Sequence, residues 1–250
     1  MAFIDLFSDG SELYASARPQ YPDALFAYLA SIAPARERAW DCGTGNGQAA
    51  IGLARHFREV CATDASAQQL AQALRADNVE YSHQPAEQTS FPARHFDLVC
   101  VAQALHWFDL KRFFAEVHRV LRPHGIFAAW TYNWFKISPE IDAIVERQIF
   151  DVLRPYWPIQ VHSAWRGYRD IDFPFQRIQP PPFELAPAWT LQQLLAYLHT
   201  WSGTRRYIAE HGAGWLESAT NMLAEAWGAA DARRPVKMGF ELVVGRISAT

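Results

Sequence analysis

The chain has 250 residues, of which half are hydrophobic and a fifth are charged, and its formal net charge is -3. This composition excludes a disordered chain and indicates one large α/β domain, or a domain with a cap. The chain lacks the excess of basic residues that typically binds nucleic acid or an anionic membrane surface. Because no stretch approaches the ~18 uninterrupted apolar residues of a membrane span, we expect neither nucleic acid nor a membrane as a partner.

The amino-terminal segment and the cysteines favour a cytoplasmic protein. The start, "MAFIDLFSDG", carries Asp5 and Asp9 and lacks the basic region and apolar core of a signal peptide. Cys42, Cys61 and Cys100 each fall in a predicted strand or at its end, where an odd number of cysteines indicates buried, reduced thiols. The nine histidines lack the short pairings of a zinc or iron site, so we expect no metal.

Strand and helix signals alternate over the first 130 residues. A helix is predicted from about Pro22 in "YPDALFAYLASIAP", with one proline in an early turn and another after its end. The next elements are strand 1 "RAWDC", a helix "QAAIGLARHF", strand 2 "EVCATD", a helix "SAQQLAQALRA" capped by Ser66, strand 3 "VEYSHQ", strand 4 "FDLVCVAQ", a helix "LKRFFAEVHRVL" and strand 5 "GIFAAWTY". The mostly apolar strands are typical of parallel strands covered on both faces. The alternation predicts an α/β fold with a doubly wound, Rossmann-like sheet.

From about Asn133 the chain becomes richer in proline, tryptophan and tyrosine. The stretch "FPFQRIQPPPFEL" predicts a sixth strand interrupted by prolines, "TLQQLLAYLHTW" and "GWLESATNMLAEAW" predict helices, and "PVKMGFELVVGRIS" predicts a long last strand. We therefore predict a helical cap inserted after strand 5 and a final antiparallel hairpin at one sheet edge. The expected single domain, 1–250, comprises an amino-terminal lid segment and helix at 1–34, a cofactor-binding core at 35–132, a mostly helical substrate cap with strand 6 at 133–235, and the final strand at 236–250.

Three glycines follow strand 1 in "AWDCGTGNGQAA", namely Gly43, Gly45 and Gly47. Open α/β sheets bind ligands outside the carboxyl ends of their strands, at the point where the strand order reverses. Glycines there can adopt positive φ and let the backbone approach a ligand closely. The amides of the next helix then point at the bound group. The turn is therefore predicted to bind a ligand.

Three ligand classes use such a turn. A nucleotide P-loop would need Gly-Lys-Ser/Thr, and Gly47-Gln48-Ala49 excludes it. A dinucleotide fingerprint counted from Gly43 and Gly45 places the bulky Gln48 where close helix–strand packing is needed, which disfavours NAD. The third pattern is acidic-x-Gly-x-Gly-x-Gly, and it begins at Asp41.

This third pattern closely resembles motif I of the class I S-adenosylmethionine-dependent methyltransferases, whose fold is a seven-stranded sheet. "QPAEQTSFP", "FDLVCVAQALHWFD" and "VLRPHGIFAAW" resemble later segments of the same family, and together they cover roughly residues 37 to 130. An acidic side chain at the end of strand 2, Asp64, suits the two ribose hydroxyls of a nucleoside, in NAD as in S-adenosylmethionine. The resemblance implies S-adenosylmethionine as cofactor, held by Asp41, Gly43, Gly45, Gly47, Asp64, Ala65, Ala86, Glu87, Ala102 and Gln103.

One segment near the start of the chain and one near residue 200 resemble a single branch of this family. "YASARPQYP" and "HTWSGTRRY" are similar to segments of a small-molecule branch that includes trans-aconitate methyltransferase-like proteins. The branch implies that Tyr14 and Arg18 close over the methionine end of the cofactor. Arginine can pair bidentately with the methionine carboxylate, and a tyrosine ring can act as a cation–π partner of the sulfonium.

His106, beyond the tip of strand 4, is the side chain suited to general base work near neutral pH, although it could instead simply pack. An acceptor pocket could be lined by aromatic and basic side chains, many of which could equally belong to the cap's core or to a solvated surface. The candidates are Trp107, Tyr132, Trp134, Trp201, Arg205 and Tyr207.

These features predict a methyltransferase that acts on a small-molecule acceptor, at a carboxylate or a hydroxyl. A carboxylate would need no base at neutral pH, whereas a phenol, enol or thiol would benefit from one. Strand 4 ends in Ala102-Gln103-Ala104-Leu105 rather than the Asn/Asp-Pro-Pro-Tyr/Phe of enzymes that methylate base amino groups. Two alternatives stay open: an NAD-dependent oxidoreductase, and a non-catalytic protein that retains the cofactor fold as a binding module.

Overall fold

A computed structural model describes residues 18–212, 214–229 and 231–248. Within this part of the chain, seven strands form one sheet in the order β3-β2-β1-β4-β5-β9-β6. They are β1 (Arg38–Cys42), β2 (Glu59–Asp64), β3 (Val79–His83), β4 (Phe96–Ala102), β5 (Leu121–Lys136), β6 (Gln176–Ile178) and β9 (Lys237–Arg246). Two short strands, β7 (Ala188–Trp189) and β8 (Arg234–Pro235), pair separately. The predicted seven-stranded, doubly wound α/β sheet is confirmed.

The first five strands pair in parallel, and β9 runs antiparallel to both β5 and β6. The strand order reverses between β1 and β4, so the carboxyl ends of these two strands flank the crevice where open sheets bind ligands. The prediction of a final hairpin was wrong in one respect. The strands β6 and β9 are antiparallel neighbours, but a long helical segment separates them in the chain.

Ten α-helices surround the sheet in the described residues. They are α1 (Asp23–Ile32), α2 (Gln48–Ala54), α3 (Ala67–Ala71), α4 (Leu110–Val120), α5 (Pro139–Ile144), α6 (Asp151–Leu153), α7 (Val161–Trp165), α8 (Leu191–His199), α9 (Ser202–His211) and α10 (Gly214–Trp227). A π-helical segment (Val145–Phe150) joins α5 to α6, and 3-10 turns form at Leu105–Trp107 and Arg154–Tyr156. None of these helices combines the length and the apolar composition that crossing a membrane requires.

Local sequence signals account for several of these helix ends. The Ser66 hydroxyl accepts a hydrogen bond from the Gln69 amide and caps α3, as predicted, although α3 ends earlier than the sequence pattern suggests. A capping box of Thr190 and Gln193 begins α8. Helix α9 was not predicted from the sequence, and it places both Arg205 and Arg206 within a helix rather than before one.

Both faces of the sheet are covered, and the cap has its own core. Along β4, Val99 belongs to the cluster on one face, whereas Leu98 and Cys100 belong to the cluster on the other. This alternation is what a parallel strand between two helical layers requires. Strand β5 continues beyond its predicted end to Lys136, and its carboxyl-terminal part carries Phe135 into the core of the cap. The strand therefore connects the sheet to the cap directly.

One glycine controls how closely α1 and α2 pack. A Cβ added to Gly52, in the middle of α2, would collide with the Phe26 ring of α1. We expect Gly52→Ala to lower the free energy of unfolding by about 1–3 kcal/mol, although alanine otherwise gains roughly 1 kcal/mol over glycine in a helix. Urea unfolding measures the change. Gly214→Ala is the control, because no described atom lies within 4 Å of its added Cβ. Equal loss of stability in both variants would contradict this packing.

Candidate functional site

A cavity of about 910 Å³ opens at the carboxyl ends of β1, β2, β4 and β5. The strand tips and the turns that follow them form one end, and the helices of the cap form the other. Ligand sites of small molecules are concave, mostly apolar and of this size. The cavity lies at the reversal of strand order, which is where the fold predicts a ligand.

The glycine turn adopts a conformation that side chains would oppose. Gly43, Gly45 and Gly47 have φ values of 69°, 57° and 85°, and all three lie in the left-handed region that favours glycine. A Cβ on Gly43 would lie 2.7 Å from the Cβ of Ala104, and one on Gly47 would collide with the Tyr81 hydroxyl. Gly43 and Gly45 line the cavity, whereas Gly47 does not. Gly47 therefore shapes the turn rather than contacting a ligand.

The buried Asp41 supports this turn from behind. Its carboxylate accepts hydrogen bonds from the Thr44 hydroxyl at 2.5 Å and from the Cys100 thiol at 3.6 Å. It also accepts one from the Ala50 amide in the first turns of α2. Burial raises the pKa of Asp41 to about 6, and these hydrogen bonds oppose the rise. Asp41 does not line the cavity, although the sequence predicted it as a cofactor contact. We therefore interpret Asp41 as a residue that supports the glycine turn.

Asp64, the last residue of β2, holds the same turn from the cavity side. Its Oδ2 accepts the Gly45 amide at 2.8 Å, and its Oδ1 accepts the Ser66 amide at 2.8 Å. These two amides orient the carboxylate at the end of the strand. Asp64 and the neighbouring Ala65 both line the cavity. The carboxylate is therefore placed to accept hydrogen bonds from a pair of vicinal hydroxyls.

The tips of β3 and β4 supply the next wall, where Ala86, Glu87, Ala102 and Gln103 all line the cavity. The Glu87 carboxylate accepts the amide of Asp109 at 2.9 Å. Gln103 has a φ of 58° and uses its side chain internally: its amide group donates to the carbonyl of Tyr132 at 3.2 Å and accepts from the hydroxyl of Thr131 at 2.9 Å. A left-handed non-glycine residue is costly, and these two hydrogen bonds hold Gln103 in that conformation.

Arg18 links the start of the described chain to the cap. Its Nη1 donates to the Tyr132 hydroxyl at 2.8 Å, and its guanidinium lies 5.9 Å from the Tyr132 ring centre and 5.7 Å from that of Tyr197. These contacts place a cation between the strand tips and the aromatic end of the cavity. Tyr14, its predicted companion, lies outside the described residues.

His106 also faces the cavity, but its environment does not suit a base that works near neutral pH. Its Nδ1 lies 3.2 Å from the hydroxyl of Tyr168, and its ring is 4.8 Å from that of Trp107, which also lines the cavity. Burial and the positive charge of Arg18 lower the pKa of His106 to about 3. The imidazole is therefore neutral at physiological pH and weakly basic, contrary to the sequence-based expectation.

Four tryptophans form a packed aromatic wall at the far end of the cavity. Trp134 lies 5.1 Å from Trp165, 5.6 Å from Trp201 and 6.3 Å from Trp157, measured between ring centres. Trp157 lies 5.2 Å from Trp165 and 5.5 Å from Trp201. We call these four rings, together with Tyr132 and Tyr197, the aromatic chamber. All six line the cavity.

The structure brings together most of the predicted acceptor residues but not all. Tyr207 packs outside the cavity, with its ring centre 5.0 Å from Tyr156 and 4.8 Å from Trp215. Arg205 does not line the cavity, whereas its neighbour Arg206 does, because successive residues of a helix point in different directions. Sequence reasoning also missed Trp157, Trp165 and Tyr197. The two tryptophans at the ends of residues 157–165 were a usable signal, since they lie only eight positions apart.

Comparisons with known proteins agree with this geometry. Residues 40–129 match a family described as a methyltransferase domain. The chain is similar to a candidate methyltransferase of Dictyostelium discoideum, with 32% identity over 92% of this chain and 89% of the relative. A candidate type II methyltransferase structure from Anaeromyxobacter dehalogenans matches with a TM-score of 0.84 and 42% identity, covering 93% of this chain and 99% of that one. A malonyl-[acyl-carrier protein] O-methyltransferase of Enterobacter lignolyticus is 38% identical over 44% of this chain and 43% of its own.

The raised pKa of Asp41 predicts a specific pH dependence of stability. The native pKa of about 6 exceeds the ordinary value of 3.8, so the native state binds the proton more tightly than the unfolded state does. The contribution of Asp41 to the free energy of unfolding is therefore fully present below pH 3.8 and falls by about 3 kcal/mol in total as the pH rises to well above 6. Asp41→Asn lacks this dependence. Urea unfolding at several pH values should show the wild-type stability falling relative to the variant, and a constant difference would contradict the assignment.

Proposed function

Because the chain belongs to the class I S-adenosylmethionine-dependent methyltransferases, we propose that it methylates a carboxylate or hydroxyl oxygen of a small-molecule acceptor. One observation carries this proposal: the glycine turn with Asp64 and the aromatic chamber open into the same cavity. A donor site and an acceptor site in one enclosed space is what methyl transfer requires. Membership of the class was predicted from the sequence and is confirmed, whereas the trans-aconitate-like branch remains a prediction.

The cavity's donor end fits S-adenosylmethionine. Asp64 would accept the ribose hydroxyls, and the bare backbone at Gly43 and Gly45 would lie against the methionine portion. Arg18 lines the cavity, and it would pair with the methionine carboxylate. S-adenosylmethionine supplies a methyl group made electrophilic by its sulfonium. Since Pro85 occupies the position where the family often has an aspartate, the segment around Ala86 would hold the adenine by apolar and backbone contacts.

The protein's main contribution would be positioning and exclusion of water. The aromatic chamber and the strand tips surround the acceptor, and such orientation of two reactants lowers barriers by roughly 7–11 kcal/mol. Tyr168 is buried, and burial raises its pKa, so that it stays protonated next to His106. His106, which lines the cavity, would orient the acceptor by a hydrogen bond, and the Tyr168 hydroxyl would hold the imidazole in place. Neither side chain is suited to remove a proton from an alcohol.

The acceptor is proposed from the cavity and, secondarily, from a relative. The malonyl-[acyl-carrier protein] O-methyltransferase is by its name an enzyme that methylates oxygen. That similarity covers under half of each chain, so it supports oxygen as the methylated atom without identifying the acceptor. Within the described residues, aromatic side chains line much of the acceptor end of the cavity, which suits a small molecule better than a nucleic acid.

Calorimetry on the wild type and on Asp64→Ala tests the cofactor assignment. We expect S-adenosylmethionine and S-adenosylhomocysteine to bind the wild type, and the variant to bind at least about 30-fold more weakly, because charge-assisted hydrogen bonds to the ribose are lost. The control is Glu59→Ala, at the opposite end of β2, where the glutamate forms an exposed ion pair with Arg38. Tight binding of NADH, with no binding of S-adenosylmethionine or S-adenosylhomocysteine, would support the alternative of an NAD-dependent oxidoreductase. Binding of S-adenosylmethionine without turnover of any acceptor would support the alternative of a non-catalytic binding module.

The protonation state of His106 tests the absence of a general base. With a pKa of about 3, the imidazole should show no titration between pH 5 and pH 8. Proton NMR of the histidine C2–H resonances measures this, and His106→Gln identifies the resonance by its disappearance. A sigmoidal shift of that resonance centred near pH 6.5 would show that His106 is an ordinary base and would reinstate it as a proton acceptor.

A further inference from the structure

Resting on the proposed methyl transfer, we infer that the acceptor is a planar aromatic carboxylic acid whose ring occupies the aromatic chamber and whose carboxylate is methylated. Three independent features of the described residues support this assignment. They are the shape of the chamber, the charges around it, and the lack of a suitable base.

The shape of the chamber favours a flat, rigid group. Its four indoles pack against one another, and two of their contacts are edge to face, with interplanar angles of 84° between Trp134 and Trp201 and 78° between Trp157 and Trp165. Such mutual packing fixes the walls, because each ring is held by two neighbours. Trp157 also rests on the backbone of α9, where a Cβ added to Gly203 would lie 3.1 Å from the indole. A rigid aromatic wall gains most from a planar ligand.

The charges around the chamber select an anion over a cation. Tryptophan cages can also bind quaternary ammonium groups, so the four indoles alone do not decide the sign of the ligand's charge. Arg18, which contacts the rings of Tyr132 and Tyr197, is proposed above to pair with the cofactor, whereas Arg206 lines the same cavity without such a role. Among the described residues, the carboxylates that line the cavity are Asp64, at the end of β2, and Glu87 and Asp109, in the segments that follow β3 and β4. Arg206 is therefore the charge that favours an anionic acceptor.

The chemistry of the neighbouring side chains selects a carboxylate over a phenol. A carboxylic acid is already ionised at neutral pH, and its oxygen can attack the methyl carbon without losing a proton. The new oxygen–carbon bond forms as the carbon–sulfur bond breaks, and the electron pair goes to sulfur. An ester and neutral S-adenosylhomocysteine result, and no proton moves. A phenol would need a base, and the depressed pKa of His106 leaves that side chain unsuited to the role.

An apolar chamber also favours this particular reaction. A carboxylate and a sulfonium carry opposite charges that neutralise each other as the methyl group moves. Water would stabilise the separate charges, and walls of tryptophan and tyrosine exclude it. The aromatic chamber would thus bind the ring and promote the transfer through the same surfaces.

The experiment measures acid binding to the protein saturated with S-adenosylhomocysteine. The aromatic probes are benzoate, cinnamate and indole-3-acetate, and the comparison ligands are hexanoate, trans-aconitate, phenethylamine and 4-ethylphenol. We expect calorimetry to show the best aromatic acid binding at least tenfold more tightly than any comparison ligand. Mass spectrometry with S-adenosylmethionine should identify its methyl ester.

Two pairs of variants test the chamber itself. Trp165→Leu should weaken binding of the best aromatic acid about tenfold, and Trp165→Phe should restore most of it, with unchanged affinity for S-adenosylhomocysteine in both. Arg206→Gln should weaken binding of the acid but not of its neutral methyl ester. The controls are Trp215→Phe and Arg166→Gln, since neither side chain lines the cavity.

The outcomes separate this inference from the proposed function. If S-adenosylhomocysteine fails to bind, the proposed function fails and the inference falls with it. If the cofactor product binds but no aromatic acid does, or if trans-aconitate, the amine or the phenol is preferred, the inference alone is overturned. Equal effects of Trp165→Leu and Trp165→Phe would likewise exclude a role for the ring.

Discussion

The site depends on a glycine turn held between two carboxylates. Asp41 binds the turn from the buried side, through Thr44 and the first turns of α2, and Asp64 binds the Gly45 amide from the cavity side. Burying Asp41 is unfavourable, as its raised pKa shows, yet the cost is acceptable because hydrogen-bond donors satisfy the carboxylate. The left-handed glycines need this support because the turn has few side chains of its own to pack.

The long strand β5 runs from the sheet that carries this turn into the cap at the acceptor end. Its parallel pairing with β4 aligns Trp130 with Ala102 at the strand tip, and its extension continues into the cap. Tyr132, just before that extension, accepts the hydrogen bond of Arg18 and forms part of the aromatic chamber. Strand β5 thus connects the sheet that carries the donor end to the acceptor end, which suits a reaction that tolerates little misalignment.

Most residues predicted for the donor end line the cavity, whereas three of the six rings of the aromatic chamber were not predicted from the sequence, and the difference has physical reasons. Carboxyl ends of parallel strands meet at one edge of the sheet, so the residues that follow strands 1, 2 and 4 could be placed together without a structure. Whether the Asp41 carboxylate contacts a ligand or a helix amide depends on how deeply its side chain is buried. The sequence pattern around the glycines does not give that burial. The choice of Arg206 over Arg205 depends on the phase of α9, a helix that the sequence analysis missed. Trp157 and Trp165 reach the chamber through the packing of the cap, which local periodicity does not reveal.

A crystal structure of the complex with S-adenosylhomocysteine would show whether the turn with Asp64 is the donor end of the cavity. In the arrangement we propose, the ribose hydroxyls lie within hydrogen-bond distance of the Asp64 carboxylate, and the methionine portion lies against Gly43 and Gly45. The same arrangement directs the sulfur atom toward the aromatic chamber. A nucleoside bound away from Asp64, or a sulfur atom directed away from the chamber, would contradict it.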